Sequence, residues 1–213
     1  MAEKQDDIRT RIAADWAESD YYDEAERFTE VFWTPSFVFR PRFEKLDLSN
    51  VIELACGRGR HAAQCIDRCG MLSLVDVNRS NIEACRRRFA GHRNVRFLVT
   101  PGNSLPDCPD GTFSALYCYD AMVHFELLDI VDYLRETRRV LQPGGRALLH
   151  VSNNMSNPGG HYHQNTHWRN FGHVDIVRHL ADRLGLSVLE HEVFDWSGAP
   201  NLDAVLLLER PGA

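Results

Sequence analysis

Two glycines and an aspartate form the clearest chemical pattern in this sequence. In "NVIELACGRGRHAAQ", residues 50–64, an apolar stretch gives way to Gly57 and Gly59 and then to a helix-forming segment. Glycine lacks a Cβ atom, so the chain can turn tightly and a ligand can approach the backbone. Asp76 follows Gly57 by 19 residues and ends the next apolar stretch. A carboxylate at that position can accept hydrogen bonds from a ribose diol, so these residues indicate a nucleoside-containing ligand.

The glycine turn does not identify that ligand by itself. The spacing Gly57-x-Gly59-x-x-Ala62 also satisfies the dinucleotide fingerprint in its G/A form. A purely structural turn, with Asp76 as a cap, is a further alternative. The turn by itself therefore does not identify the cofactor, and NAD remains one of the candidates.

Histidine is the commonest general base, and it is concentrated in the second half of the chain. Four of the ten histidines fall between residues 161 and 173. The candidates that follow predicted strands or lie in the long polar segment are His124, His150, His161, His163, His167 and His173. Of these, we predict His124, His150 and His167 as possible bases. Each also has a structural alternative, as a helix start, a hydrogen-bonded core histidine or a solvated loop residue.

No metal site is predicted among these histidines. The pair His161-x-His163 lacks the helical i, i+4 spacing of familiar zinc sites, and no nearby cysteine completes a ligand set. The surrounding segment also lacks the carboxylates that magnesium prefers.

Alternating apolar segments and helical patterns must position these residues. Helices are predicted over 5–18, 22–33, 60–69, 79–91, 126–141 and 172–184, and strands over 49–56, 71–78, 95–100, from 113, 146–152, 186–196 and 202–210. This alternation predicts an α/β fold: one Rossmann-like domain with a mostly parallel seven-stranded sheet, helices on both faces and an antiparallel last strand. Residues 1–45 are predicted as a helical cap or lid, and residues 46–213 as the main domain. That domain includes a His-, Asn- and Gly-rich loop at 153–171 on the acceptor side.

Composition narrows the classes of partner. The 213 residues are 44% hydrophobic and 25% charged, with a formal net charge of −6, which is typical of a soluble globular protein. The acidic balance argues against a nucleic-acid partner. No window reaches the length of a membrane span, and the N-terminus does not resemble a signal peptide. The six cysteines show no framework and are expected to be reduced. We expect a cytoplasmic protein, a monomer or homodimer, that acts on a small molecule.

Five segments, in order, resemble the motifs of class I S-adenosyl-L-methionine-dependent methyltransferases. "VIELACGRGRH" is similar to motif I, with Glu53, Gly57 and Gly59 matching and Ala55 in place of the first glycine. "LVDVN" resembles the second motif, with Asp76 as the ribose acid. "GNSLP", "FSALYCYDAMVHFE" and "LRETRRVLQPGGRALLHVS" resemble the following three. The resemblance covers about residues 50 to 210.

The resemblance implies S-adenosyl-L-methionine as cofactor and S-adenosyl-L-homocysteine as product. It places backbone at Ala55 and Gly57 against the methionine part, Asp76 on the ribose and Val77 on adenine. It further implies that Glu53 orders the loop and favours the cationic end of the cofactor. The residues predicted to bind the cofactor are Tyr22, Glu53, Ala55, Cys56, Gly57, Gly59, Asp76, Val77, Asn103, Ser104 and Tyr119. Asn103 stands where aspartate is commoner, and we expect binding to survive that departure.

The polar segment from His150 to Phe171, with its "HWRN" block, resembles a subgroup of these enzymes from sugar and cell-envelope biosynthesis. The leading hypothesis is therefore methyl transfer to a small-molecule hydroxyl, on a sugar or glycosylated metabolite. Alternatives are an N-methyltransferase of the same fold, an NAD-dependent oxidoreductase and a non-catalytic cofactor-binding protein. The pair Tyr21–Tyr22 is expected to close over the ligands, whereas Trp16 and Trp33 are expected mainly to pack the N-terminal helices.

Overall fold

One seven-stranded sheet organises the chain in the computed structural model, which describes residues 4–17 and 19–212. The strand order is β3-β2-β1-β4-β5-β7-β6. Neighbouring strands are parallel from β3 to β5, and β7 runs antiparallel to both β5 and β6. The strands are β1 Asn50–Leu54, β2 Met71–Asp76, β3 Val95–Val99, β4 Phe113–Cys118, β5 Leu141–Ser152, β6 Ser187–Trp196 and β7 Ala199–Glu209. The predicted α/β class and the antiparallel last strand are confirmed.

The central strands are buried because helices cover both faces of the sheet. Successive strand side chains point to opposite faces, so β1 contributes Ile52 and Leu54 to one apolar cluster and Val51 to the other. β4 divides in the same way, with Leu116 in the first cluster and Ala115 in the second. This two-sided burial explains why these strands are nearly continuous apolar runs in the sequence.

Helices precede the sheet and connect its strands. The helices are α1 Gln5–Ala17, α2 Tyr21–Glu26, α3 Thr29–Phe32, α4 Arg40–Phe43, α5 Arg79–Arg88, α6 Leu127–Val140 and α7 Val174–Arg183. The helix predicted over 22–33 is wrong in one respect. It is divided into α2 and α3 because Phe28 (φ −106°, ψ 0°) leaves regular helical geometry.

The helix predicted over 60–69 is also wrong. The segment forms two short 3₁₀ turns, Ala62–Gln64 and Ile66–Arg68. Cys65 lies between them with φ −135°, outside the helical region. The backbone N–H groups of the two turns therefore bond to carbonyl oxygens three residues earlier, and no continuous α-helix forms. The glycine turn therefore leads into no long helix whose N-terminus could bind an anion.

Hydrogen bonds attach the 153–171 loop to the core of the protein. It contains two 3₁₀ turns, Tyr162–Gln164 and Thr166–Trp168. Asn170 donates its backbone N–H to Val123 O, and its amide group donates to His124 O at 3.2 Å. Within residues 4–17 and 19–212, no helix is long and apolar enough to cross a bilayer.

Candidate active site

An open cavity lies where β1, β2 and β4 end, on the carboxyl side of the parallel strands, and its empty space of about 1050 Å³ includes the part open to solvent. Open α/β sheets bind ligands at this edge. The strand ends form the floor of the cavity, and helices α1 and α2 cover it with Arg9, Ile12, Trp16, Tyr21 and Tyr22. Binding sites for small molecules are usually concave and mostly apolar, and this cavity has that form.

The turn after β1 has left-handed backbone at three positions. Ala55 has φ 55°, Gly57 φ 53° and Gly59 φ 78°. A Cβ atom at Gly57 would lie 2.7 Å from Cε1 of Tyr22, so glycine there lets helix α2 approach the turn. Ala55 adopts the strained conformation without being glycine, and such strain concentrates at functional sites.

Asp76 lies beside this turn at the end of β2. Its Oδ2 accepts a hydrogen bond from the Gly57 N–H at 2.9 Å, and its Oδ1 accepts from the Asn78 N–H and the Asn81 amide. Asn81 also donates to the Tyr22 hydroxyl at 2.9 Å. Burial raises the pKa of Asp76, and the donated hydrogen bonds oppose that rise. The carboxylate orders the glycine turn and stays at the cavity wall, where a ribose hydroxyl can share or replace the Asn81 donor.

Most of the predicted cofactor residues line the cavity, and four do not. Those on its wall are Tyr22, Ala55, Cys56, Gly57, Asp76, Val77 and Tyr119. Those outside its wall are Glu53, Gly59, Asn103 and Ser104.

Glu53 points into the core on the far side of β1. It is 3% exposed and accepts a hydrogen bond from the Tyr117 hydroxyl at 2.9 Å. Burial raises its pKa well above the usual carboxyl range, which opposes the predicted role as an anionic partner for the cofactor. Gly59 is needed for packing, because a Cβ atom there would lie 2.6 Å from the Phe89 ring.

The segment after β3 faces the cavity through other residues than those predicted. Asn103 donates to Asp132 on α6 at 3.3 Å, and Ser104 accepts the Thr100 hydroxyl through its carbonyl oxygen. Thr100 and Gly102 line the cavity instead. Because Asn103 is turned toward α6, the resemblance to the adenine-binding segment holds for its position and not for that side chain.

An arginine from α1 closes this end of the cavity, and the sequence analysis missed it. Arg9 Nε donates to Asp129 Oδ1 on α6 at 2.8 Å. Its aliphatic part lies 2.8 Å from where a Cβ atom at Gly102 would be. Arg9 and Asp129 are 120 residues apart, and no local pattern marks either of them as a site residue.

His124 is the predicted base that the structure places in the cavity wall. Its Nδ1 lies 2.8 Å from the Trp168 carbonyl oxygen, which can only accept, so Nδ1 carries the proton and Nε2 is an acceptor. Burial lowers its pKa to about 4, so the ring is neutral at neutral pH. The Trp16 ring of α1 lies against His124, with centroids 4.7 Å apart.

His150 and His167 lie outside the cavity, against the expectation that either could act as a base. His150 is fully buried, accepting the Asp120 N–H through Nδ1 at 3.0 Å and bonding Asp203 through Nε2 at 2.9 Å. Both ring nitrogens are therefore occupied within the core. His167 lies on the exposed part of the loop with φ 50°.

A buried ion network lies behind His124, at the end of β4. Asp120 has φ 54°, and its Oδ2 accepts from the Tyr21 hydroxyl at 2.7 Å and from Arg60. Arg169 pairs with Asp203 at 2.6 Å and approaches Asp120 Oδ1 at 3.7 Å. Burial favours the protonated form of Asp120, but the two arginines outweigh it and lower its pKa. The "HWRN" block thus fixes both His124 and Asp120.

Four buried polar atoms of cavity-lining residues lack hydrogen-bond partners among the residues that the structure describes: Trp16 Nε1, His61 Nε2, Tyr119 Oη and Asp120 Oδ1. Trp33 Nε1 donates to His61 Nδ1 at 3.1 Å, so His61 Nε2 carries the proton and is a donor. An unsatisfied buried polar atom costs about 1–3 kcal/mol. These atoms are buried beneath the surface of the cavity, so a ligand pairs with them only if neighbouring side chains move. Trp33 itself packs on Phe39 and Phe43, as predicted.

The two buried histidines on this wall predict a loss of stability in acid. His124 has a pKa near 4 and burial lowers that of His61 well below its usual value, whereas both titrate near pH 6.5 when unfolded. Between those values the unfolded chain binds more protons, so the free energy of unfolding falls as pH decreases from about 6.5. Each histidine contributes up to about 1.4 kcal/mol per pH unit.

Thermal melts between pH 7 and 4.5 test this. The His124→Asn variant should lose less stability over that range than the wild type, and the exposed-site control His191→Gln should match the wild type. Equal slopes for all three proteins would contradict the burial argument.

Comparison with known proteins bears on this site. Residues 51–145 match the family model described as a methyltransferase domain. A methyltransferase, GfsG, from Streptomyces halstedii is 31% identical over 114 residues, which are 50% of this chain and 40% of that protein. A ubiquinone/menaquinone biosynthesis C-methyltransferase, UbiE, from Hahella chejuensis is 29% identical over 119 residues, 52% of this chain and 45% of that protein. The chain spans less than half the length of these curated relatives.

Among solved structures, a geranyl diphosphate C-methyltransferase from Streptomyces coelicolor A3(2) has a TM-score of 0.71 at 13% identity. The match covers 95% of this chain and 97% of that one. At that identity the likeness establishes the fold alone.

Proposed function

We propose that this chain, whose residues 51–145 match a methyltransferase-domain family model, is a class I S-adenosyl-L-methionine-dependent methyltransferase that transfers a methyl group to a hydroxyl of a small molecule. One observation carries the acceptor part of the proposal. His124 stands in the cavity wall with Nδ1 held by Trp168 O and Nε2 left as an acceptor. An alcohol must lose its proton as the new bond forms, and a neutral imidazole can receive it.

The residues present fit the cofactor. Asp76 would hold the ribose, Val77 and Gly102 would flank adenine, and the turn from Ala55 to Gly57 would face the methionine part. When bound, the cofactor supplies an electrophilic methyl group. The protein's own contribution is to align the acceptor and exclude water, and Trp16, Tyr21 and Tyr22 form the cover that does so.

A polyhydroxylated acceptor such as a sugar would suit the unpartnered atoms if side-chain movement on binding exposed them. His61 Nε2 is then a donor, Asp120 Oδ1 an acceptor and Tyr119 Oη either, so each would pair with a hydroxyl that reached it. The aromatic rings of Trp16 and Tyr21 offer flat apolar surface for the ring of the acceptor. A neutral amine needs no strong base before methyl transfer, whereas transfer to a nucleophilic carbon also releases a proton, so the acceptor panel must separate transfer to oxygen from transfer to carbon.

Calorimetric titration with S-adenosyl-L-methionine, and with NADH in parallel, tests the cofactor. Formation of S-adenosyl-L-homocysteine with a panel of sugars, their deoxy analogues, small amines and hydroquinones tests the acceptor. We expect binding of the sulfonium cofactor alone, and turnover that needs a free hydroxyl.

Binding of NADH instead would overturn the cofactor assignment. Turnover restricted to amines or to hydroquinone carbon would overturn the hydroxyl proposal, and binding without turnover on any acceptor class would favour a non-catalytic protein.

A further inference from the structure

A second group of chemistry-bearing side chains lies where α1 meets the 153–171 loop, outside the cavity wall. One carboxylate oxygen of Asp15 and one ring nitrogen each of His161 and His163 all lie within 4.8 Å of one another. His163 Nε2 is 3.4 Å from Asp15 Oδ2, but it makes no hydrogen bond within the described part of the chain. The sequence predicted no metal here because the loop alone offers no carboxylate, and Asp15 comes from α1.

Other contacts hold these three side chains in place. The Tyr162 hydroxyl donates to Asp15 Oδ2 at 2.8 Å. The His163 N–H donates to His161 Nδ1 at 3.2 Å, which caps the 3₁₀ turn and sets the two rings 4.8 Å apart. The Trp168 ring lies against His163, with centroids 4.3 Å apart, and shields it on one side. The group is therefore a supported arrangement of donors on two different elements.

We propose that Asp15, His161 and His163 bind a divalent transition-metal ion of the Zn²⁺ type. Two imidazoles and one carboxylate are an established ligand set for zinc, with water completing the coordination. Zinc–ligand bonds of about 2.0–2.2 Å place the donors of one ion roughly 3–4 Å apart, so these side chains need to close by about 1 Å. The carboxylate and the two imidazoles come together at one point, which is the arrangement that a shared cation requires. Mg²⁺ and Ca²⁺ prefer all-oxygen sets and are not expected to bind.

An ion at this position would join α1 to the loop. Helix α1 covers the cavity through Arg9, Ile12 and Trp16, and the loop holds His124 through Trp168 O. The metal ion therefore holds α1 against the loop, so that α1 stays over the cavity, and it takes no part in methyl transfer.

Zinc titration of the whole chain by calorimetry tests the proposal, with Mg²⁺ as the comparison ion. We expect one ion per chain at micromolar affinity. Zinc at 100 times its Kd should raise the Tm by about 5 °C or more. It should also slow amide hydrogen exchange in residues 5–17, and Co²⁺ should give visible d–d absorption. Asp15→Asn and His163→Gln should each weaken zinc binding by at least about 10-fold, while the exposed-site control His179→Gln keeps it.

Melting each variant without metal shows whether it is folded, and Co²⁺ absorption of the wild type gives a second, variant-independent readout. The proposal fails if the wild type binds no zinc at concentrations up to about 100 μM. It also fails if Asp15→Asn and His163→Gln bind zinc as tightly as His179→Gln, because the ion would then lie elsewhere.

Discussion

Replacing His124 by asparagine should lower the rate of methyl transfer about 100-fold and leave cofactor affinity nearly unchanged. The asparagine amide can still donate to the Trp168 carbonyl oxygen, as His124 Nδ1 does, but it has no counterpart of Nε2. General bases contribute about 10²- to 10⁴-fold. We expect the lower end because the pKa of His124, near 4, makes it a weak base. Single-turnover rates and calorimetric titration of the cofactor measure the two effects separately.

The pH profile is part of the same prediction. Since His124 is deprotonated well above pH 4, the wild-type rate should be flat between pH 6 and 8 rather than rise through 6.5. His167→Gln is the matched control, because that side chain is exposed and outside the cavity wall. A His124→Asn enzyme with more than a third of the wild-type rate, or a His167→Gln enzyme that loses turnover, would contradict the assignment of the base.

Replacing Asp76 by asparagine should weaken S-adenosyl-L-methionine binding by about 100-fold or more. Asparagine matches the size of aspartate, but one carboxylate oxygen becomes an N–H donor that faces the Gly57 or Asn78 N–H groups. The variant therefore disturbs the glycine turn and loses a charged acceptor for the ribose. A hydrogen bond to a charged group is worth about 1.5–3 kcal/mol, and two such bonds account for the expected loss. Calorimetric titration measures the affinity, and circular dichroism verifies folding.

Asp132→Asn is the control for this experiment. Asp132 also carries a carboxylate near the cofactor end, but it bonds Asn103 and Arg135 outside the cavity wall. Its replacement should leave affinity within about twofold, and so should replacement of Asn103. If Asp76→Asn binds within threefold of the wild type, the ribose assignment is wrong. If Asp132→Asn weakens binding as much as Asp76→Asn, the segment after β3 is part of the site after all.

The order of strands and helices, and the ligand-binding edge of the sheet, could be predicted from the sequence. Apolar runs such as "VIEL" and "LSLVD" form buried strands wherever helices cover both faces, so their identity depends on local composition. Gly57 and Asp76 were identifiable because each follows or ends one of two consecutive strands, which sets their separation within one short segment. The helix predicted over 60–69 does not form, because Cys65 adopts a non-helical backbone angle that no sequence pattern indicates.

The tertiary structure decided which of the predicted side chains face the cavity. Glu53 and Asn103 occupy the expected places in the chain, but one points into the core toward Tyr117 and the other toward Asp132. A motif specifies where a residue falls along a strand or loop, whereas the direction of its side chain depends on which neighbour offers a partner.

Contacts between residues distant in sequence also decide which histidines face the cavity. His124 lines the cavity, where the Trp168 carbonyl oxygen, 44 residues away in sequence, holds its ring. His150 instead bonds to Asp203 in the core. Arg9 reaches Asp129 over 120 residues, and Asp15 meets the loop histidines in the same way. Such pairs leave no periodic or spacing signal, because each partner's environment exists only once the sheet has formed. The sequence therefore determined the framework and the cofactor edge, and folding alone brought together the proposed base, the residues that cover the cavity and the proposed metal ligands.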